Sequence, residues 1–527
     1  MIVKQSQPSL SSFETAMIVG IDLGTTYCAV AKLDESGRPV TVPNRDGDVL
    51  TPSAIYLAAD GQAVVGQPAL DLAQEQPDRV ATMVKRRMGR SDLGQLVAGR
   101  VFRPETLSAV ILRKLVDDAA HQLGPIDGAV ITVPAYFDDT RRQATHDAGR
   151  IAGINVIDII DEPSAAALAY TFQATPGAEL PIDSPQTVLV YDLGGGTFDV
   201  TLVKLGKRRF QTLAIEGDVQ LGGKDWDDRL ADHVADQFQL QFRSDPRADP
   251  QSLVMLQAAV ERAKRTLSKL DTASVTCTHA GRKLTVPVTR AEFEKLTSDL
   301  LLRTRLTTQE VLNQANLTWD KVDRVLMVGG STHMPMTGKM LRDLTGKEPD
   351  RSLAVSEVVA RGAAIHAGIV TARAATAKSL PAGSLADVVE ISVNAHSLGV
   401  EIRKGDDKLN DKLIKKNTQL PATASRVYHT AAANQSKVRV RILQGEAHQA
   451  AACIPVGDCW IVGLQENSPK GTPIQVHCGV AADGRLFVNA QDLTSGKAVR
   501  AELRRPSGLT PEEIARESEW VRGLKIQ

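Results

Sequence analysis

The sequence predicts a large α/β domain built from two similar halves, followed after a linker by a small antiparallel β-sandwich. Three observations predict this. The apolar run Val188-Leu189-Val190-Tyr191 reads as a buried strand that ends in Asp192-Leu193-Gly194-Gly195-Gly196-Thr197 and re-enters an alternating strand at Phe198. Near the start, Ile18-Val19-Gly20-Ile21-Asp22-Leu23-Gly24-Thr25-Thr26 repeats that plan, which suggests internal duplication. Beyond a patternless Ala/Ser/Gly/Pro-rich stretch from Ala372 to Asp387, the pattern changes to short alternating strands such as Val438-Arg439-Val440-Arg441-Ile442.

The glycine loops carry the chemistry. Three glycines in a row let main-chain amides turn toward one point, because no Cβ blocks the approach. Converging amides form an anion nest, and the Thr197 hydroxyl adds a donor. Asp192 and Asp199 place carboxylates beside that nest. Acid next to a phosphate cradle makes sense with a hard divalent cation between them, as Mg2+ sits on nucleotides. A third cradle, Val325-Leu326-Met327-Val328-Gly329-Gly330-Ser331-Thr332, again ends a strand in glycines and hydroxyls. Two half-domains, each presenting an acid and a loop, would close on a nucleotide from both sides. For any one segment, the alternative is a plain Gly-rich hairpin. Neither GxxxxGK[ST] nor GxGxxG occurs, so P-loop and Rossmann readings lack their signatures.

A chain of 527 residues predicts two to four domains. Lys plus Arg and Asp plus Glu both number 62, and this balance argues against bulk nucleic-acid binding. No apolar run reaches membrane-spanning length, and the polar residues 1–16 lack the apolar core of a secretory signal. Residues 1–16 read as a disordered extension, Met17 as a candidate start, and the protein as cytoplasmic. Five cysteines are too few and too scattered for a disulfide framework. Cys453, Cys459, His477 and Cys478 form a weak zinc candidate without a CxxC knuckle, against the alternative of buried thiols.

In chain order, strands and turns fill residues 17–67, and Lys85 lies among apolar neighbours within Met83–Gly89, as suits a lysine held inward. Helices are expected over 104–123, 139–152 and 164–170, with Glu162 at a strand-to-helix junction where it is either a helix-start carboxylate or a functional one. Gly222-Gly223-Lys224-Asp225 marks a turn before a helix. A helix from Ser252 to Leu270 puts Glu261, Lys264, Arg265 and Ser268 on one face, which by spacing alone reads as a surface ion-pair stripe. Residues 392–507 are read as the sandwich. Pro511-Glu512-Glu513-Ile514 starts a last helix with an acidic first turn.

These motifs, in this order, resemble the 70-kilodalton heat-shock chaperone family (DnaK-like). The resemblance rests on Gly20–Thr26, Val130–Phe137 (VITVPAYF), Asp161–Tyr170 (DEPSAAALAY), Tyr191–Asp199, Leu221–Gly223 and Val328–Pro335 (VGGSTHMP). In the second domain it rests on Ser397-Leu398-Gly399, Asn434-Gln435-Ser436, Leu443-Gln444-Gly445-Glu446 and Ser507-Gly508-Leu509. It implies an actin-like, duplicated ribonuclease H-like ATPase domain over 17–371, a linker over 372–391, a peptide-binding sandwich over 392–507 and a truncated lid helix over 508–527. It further implies ATP/ADP as cofactor, Mg2+ held by Asp22 and Asp192, and K+ as a further candidate ion. Gly24, Thr25, Thr26, Tyr27, Gly194, Gly195, Gly196, Thr197, Gly222 and Gly223 would surround the phosphates. Glu261, Lys264, Ser268, Gly329, Gly330, Ser331 and His333 would hold the nucleoside, which overturns the surface-stripe reading. Lys85, Glu162, Asp199 and Thr197 would be catalytic.

By the same resemblance, Val400, Arg403, Tyr428, Ala431, Val438 and Val440 match peptide-cleft positions, and Pro134 and Arg142 match the relay between domains. The implied partners are unfolded or extended polypeptides, a J-domain co-chaperone and a nucleotide exchange factor, with no nucleic acid and no membrane. Departures are visible. Residues 89–104 are short, His333 replaces an Arg and Ser356 an Asp, and only the first turns of a helical lid are matched. Asp158 reverses a basic position, Glu390 interrupts an apolar linker, Ser392 replaces an Asp, and Arg403 stands where an apolar arch residue is expected. An open cleft implies fast peptide exchange. The alternatives are a nucleotide-gated scaffold with one dedicated partner, and a small-molecule kinase on the same core.

Overall fold

A computed structural model describes residues 17–527 apart from 174–183, 207, 376–384, 436, 463–467, 483, 495, 497, 500 and 505–507. The expectations for residues 1–16, for 376–384 of the linker, and for Ser436 and Ser507 fall outside the described residues.

The duplication is present as topology. In the first lobe, strand Ile18–Asp22 lies parallel to Gly128–Val133 and antiparallel to Tyr27–Leu33, which pairs on with Pro39–Val42. In the second, Gln186–Leu193 lies parallel to Arg324–Val328 and antiparallel to Phe198–Gly206, which pairs on with Arg209–Asp218. Each lobe is therefore a three-strand meander with a parallel strand added beside its first member. The central strands are buried on both faces, as their unbroken Val/Ile/Leu runs require: Gly128–Val133 and Val188–Leu193 are buried throughout. Both Asp-Leu-Gly loops leave the same corner of their sheets, so they face each other across the groove between lobes.

The helix at 104–123 forms as expected, with Pro104 in its first turn and Gly124 ending it at φ +79°. The helix expected from Ser252 to Leu270 runs instead from Pro250 to Leu267, because Asp249 caps it and accepts from the Ser252 amide.

In the sandwich, one sheet runs Asp407–Ile414, Leu398–Lys404, Lys437–Gln444, Ile454–Val462, Ala501–Arg504, and the other Ala422–His429, Pro473–Val480, Leu486–Asp492, Ala498–Val499. Alternation along Lys437–Gln444 sends Val440 and Ile442 into the core, while Arg439 and Arg441 pair with Asp458 outside. The zinc reading does not survive. Cys459 and Cys478 are packed in this core, Cys453 lies under a separate loop and His477 bonds Ser425, so no cluster forms.

Two segments sit elsewhere than their sequence labels implied. Linker residues Val389–Ile391 form a strand parallel to Arg209–Asp218, capping that sheet edge, with Val388 buried beside it. The helix read as a lid stub, Pro511–Gly523, does not cover the sandwich. Its apolar face (Ile514, Val521) and Leu524 join the first lobe's core, Trp520 stacks on Phe102, and Lys525–Ile526 pairs in parallel with Gln62–Val65. Among the described residues no helix is long and apolar enough to cross a membrane.

Candidate functional site

Asp22 ends the first lobe's opening strand and accepts from the Thr132 hydroxyl at 2.9 Å. Asp192 and Asp199 are cross-strand partners in the second lobe's hairpin, and the Tyr136 amide donates to Asp199 at 2.9 Å. Lys85, in the short turn Val84–Arg87, is 4% exposed and ion-paired with Glu162. Burial pushes Asp22 up to about 7 and Asp199 up to about 8, with the Glu162 charge adding to both. Burial also raises Asp192 well above the carboxylate range, with Glu162, Asp199 and Asp22 contributing. Burial alone would lower the Lys85 ammonium, but the Glu162 and Asp22 charges outweigh it and raise it.

Asp22, Asp192, Asp199 and Glu162 thus surround one buried cation, Lys85. That excess of buried acid, all oxygen donors, fits a hard divalent ion. Among the described residues no three acidic, His or Cys side chains converge tightly enough to ligate a metal directly.

The two glycine loops interlock. A Cβ on Gly195 would strike the Thr26 side chain, and one on Gly196 would strike Thr25, so the two lobes touch where the glycines are. The loop carbonyls are tied back. Gly194 O accepts from Ser331 Oγ at 2.8 Å and from Gly223 N at 2.9 Å, Gly195 O from Lys224 N at 2.9 Å, and Gly196 O from Arg86 Nε at 2.8 Å. The Gly195 and Gly196 amides have no partner among the described residues, which suits an anion. Gly222 must lack a side chain, since a Cβ there would lie 2.6 Å from the Gly195 carbonyl carbon. Gly329, at φ +83°, abuts Asp192 in the same way.

Lys264 turns inward to Asp227 at 2.7 Å and to Gly223 O at 3.0 Å, which ties its helix to the loop and contradicts the surface-stripe reading. Its neighbour Arg265 does form an exposed pair with Glu261, and reaches the Tyr27 hydroxyl across the groove at 2.8 Å. Ser268 back-bonds Lys264 O, and His333 is exposed at the end of the Gly330–His333 turn.

Arg86, Thr132, Tyr136 and Asp225 were missed as site residues. Arg86 holds Gly196 O and pairs with Asp225, whose carboxylate also accepts from the Gly222 amide. Its only signal was its place beside Lys85.

The sandwich meets the two lobes close to this site. Arg142 pairs with Asp161 and donates to Ala135 O and Phe137 O, bracing the turn that starts at Pro134. His396 donates to Tyr136 O at 3.0 Å and meets its ring edge-on, with centroids 4.4 Å apart. A cavity of about 410 Å³ lies at this junction. Of the predicted cleft residues, Val400 and Val440 are buried in the sandwich core, Tyr428 and Val438 are half-buried against it, and Arg403 and Ala431 are exposed.

Two interlocked glycine loops, an acid cluster and a β-sandwich on the same turn are the parts expected of a two-lobed nucleotide-binding protein with a docked second domain. The family model "Hsp70 protein" matches residues 18–96 and 93–522, and its break falls in the short segment noted at 89–104. The chain is 41% identical over 505 residues to the chaperone protein DnaK of Halobacterium salinarum, covering 94% of this chain and 76% of that protein. It is also 41% identical over 529 residues to the chaperone protein dnaK3 of Thermosynechococcus vestitus, covering 94% and 74%. The chain belongs to the Hsp70 family. It is an ATP-dependent chaperone of that type: an ATPase that binds adenine nucleotide and unfolded polypeptide.

Proposed function

We propose that ATP binds between the lobes of an actin-like core, its phosphates on the Gly24–Thr26 and Gly194–Thr197 loops and its nucleoside among Glu261, Lys264, Ser268, Gly329, Gly330, Ser331 and His333. The observation that carries this is the pair of amides at Gly195 and Gly196, without a partner among the described residues, beside half-buried Asp22 and buried Asp192. Bound Mg2+, held through water by Asp22 and Asp192 with K+ as a further ion, would neutralise phosphate charge. Lys85 and Glu162 hold each other rigid, so that with Asp199 they orient the attacking water, and a carboxylate takes its proton. The Thr197 hydroxyl and the loop amides stabilise charge on the transferred phosphoryl group as it passes to water.

Hydrolysis would reset the Pro134–Phe137 turn and so the sandwich, which takes extended apolar peptide near Val400, Arg403, Tyr428, Ala431, Val438 and Val440. A J-domain co-chaperone and an exchange factor complete the cycle, in the cytoplasm. Calorimetry with ATP and Mg2+ tests the site, with binding expected and Asp192→Asn weakening it. A fluorescent apolar peptide tests the coupling. Release by ATP but not ADP is expected, and retention under both would refute it.

A further inference from the structure

The linker strand carries a charge into the protein. Both carboxylate oxygens of Glu390 lie 2.9 Å from Nδ1 of His366, and Nε2 of the same ring lies 3.0 Å from Asp158 Oδ2. His366 belongs to the helix Val358–Ala375 and is 9% exposed. An ionised carboxylate only accepts, so two carboxylates on two ring nitrogens require both nitrogens to be protonated. Asp158 and Glu390 are the two charge departures that the sequence showed separately, one on an ATPase strand and one in the linker. A single histidine joins them.

We propose that His366 is the positioning residue that locks the linker, as an imidazolium clamped between Asp158 of the ATPase domain and Glu390, so that linker docking takes up a proton. A wholly apolar linker would dock by burial alone and ignore pH. The clamp stands on its own geometry, while its consequence for coupling rests on the function proposed above.

The groups around the ring are few. Asp158 comes from the strand Val156–Asp161 and Glu390 from the linker strand, while the adjacent helix contributes Ser164, Ala167 and Leu168 to the shared cavity. Arg373, on the same helix as His366, donates to Val388 O. Asp161 is paired with Arg142, Asp387 with Arg208, and Asp139 and His396 line the cavity's far side. Burial works against the charged ring, but Glu390 and then Asp158 overcome it and hold His366 up at about 10. With the linker undocked, Glu390 leaves and the ring falls toward its ordinary value of about 6.5. The docked value is the raised one, so the clamp is at full strength below the undocked value and is lost as pH rises toward 10.

Hydrogen–deuterium exchange at Val389–Ile391, corrected for the intrinsic rate, reads docking as a protection factor. For the full chain we expect protection to fall about tenfold per pH unit between about 8 and 10. His366→Gln and Glu390→Gln should give a lower protection that is flat with pH. Parallel slopes in the full chain and His366→Gln would overturn the clamp. Should the variants misfold, histidine NMR titration of the unaltered protein decides: His366 should titrate above 9 with both ring nitrogens protonated, and a value near 6.5 overturns the proposal. If His366 titrates as expected but ATP leaves the protection unchanged, the clamp stands and the coupling reading fails.

Discussion

Replacing Lys85 by Met separates what the buried ion pair does for catalysis from what it does for the fold. Methionine keeps an unbranched apolar stem near the Phe137 ring, over which the lysine ammonium now sits at 5.9 Å. The charge is lost, leaving Glu162 buried without its partner and next to Asp22, Asp192 and Asp199. Breaking one side of a buried pair costs about 3–5 kcal/mol. Losing a group that orients the attacking water should cost roughly 10²–10⁴ in turnover. The phosphate loops do not depend on Lys85 for their hydrogen bonds, so nucleotide affinity should change less than about tenfold, or ~1.4 kcal/mol. Single-turnover hydrolysis, nucleotide calorimetry and urea unfolding measure the three quantities. Turnover within threefold of the unaltered protein would refute the catalytic placement, and an unchanged unfolding midpoint would refute the charge accounting.

Gly222→Ala should weaken ATP binding by about 1–3 kcal/mol, because its Cβ presses on the Gly195–Gly196 backbone; calorimetry checks it, and unchanged affinity would mean that the loop yields. Glu105 is buried with Oε2 unpartnered among the described residues, and burial pushes it up to about 7. Since the folded value is the raised one, its neutral form adds stability below the unfolded value near 4.5, and this is lost as pH rises through 7. Glu105→Gln should therefore raise stability by about 1–3 kcal/mol at pH 8 and by almost nothing below pH 4.5, read from melts at both. Val521→Asp buries a carboxylate in the first lobe's core, where Val521 is 0% exposed. It should release the helix Pro511–Gly523, giving faster amide exchange there while the sandwich strands stay protected.

The loops were legible because each residue's type is dictated locally. Glycine at 195 and 196 is demanded by the Thr26 and Thr25 side chains packed against them and at 222 by the backbone it meets, and Asp22, Asp192 and Asp199 by the charge they face. Faces and partners were less legible. Spacing put Lys264 and Arg265 on one helix face, but not which would turn inward; Lys264 does because Asp227 and Gly223 O wait there. The pattern at Ile514 and Val521 announces a buried stripe without naming what covers it, and it fits the first lobe's core. Arg86 carried no mark of its role, since nothing local foretells a contact with Gly196 and Asp225 more than a hundred residues away. Asp158 and Glu390 each looked like a defect, because charge compensation through His366 exists only once the linker is folded onto the sheet.

The path between the nucleotide site and the sandwich is short, and this decides how coupling can work. The Tyr136 amide donates to Asp199, its carbonyl accepts from His396 of the sandwich, and its ring lies under Lys416 at 4.8 Å, itself paired with Glu216. Burial holds His396 below its ordinary value, so the ring is neutral and its Nε2–H can serve the Tyr136 carbonyl. On the coupling proposed above, this one residue would carry a shift of Asp199 to the docked domain. A change at Asp199 that displaced the Tyr136 amide would be met at His396 or at Pro134. Pro134 is the stiffer of the two, with φ fixed by its ring and the following turn braced by Arg142 at Ala135 and Phe137. On that proposal the movement would be taken up at the interface with the sandwich.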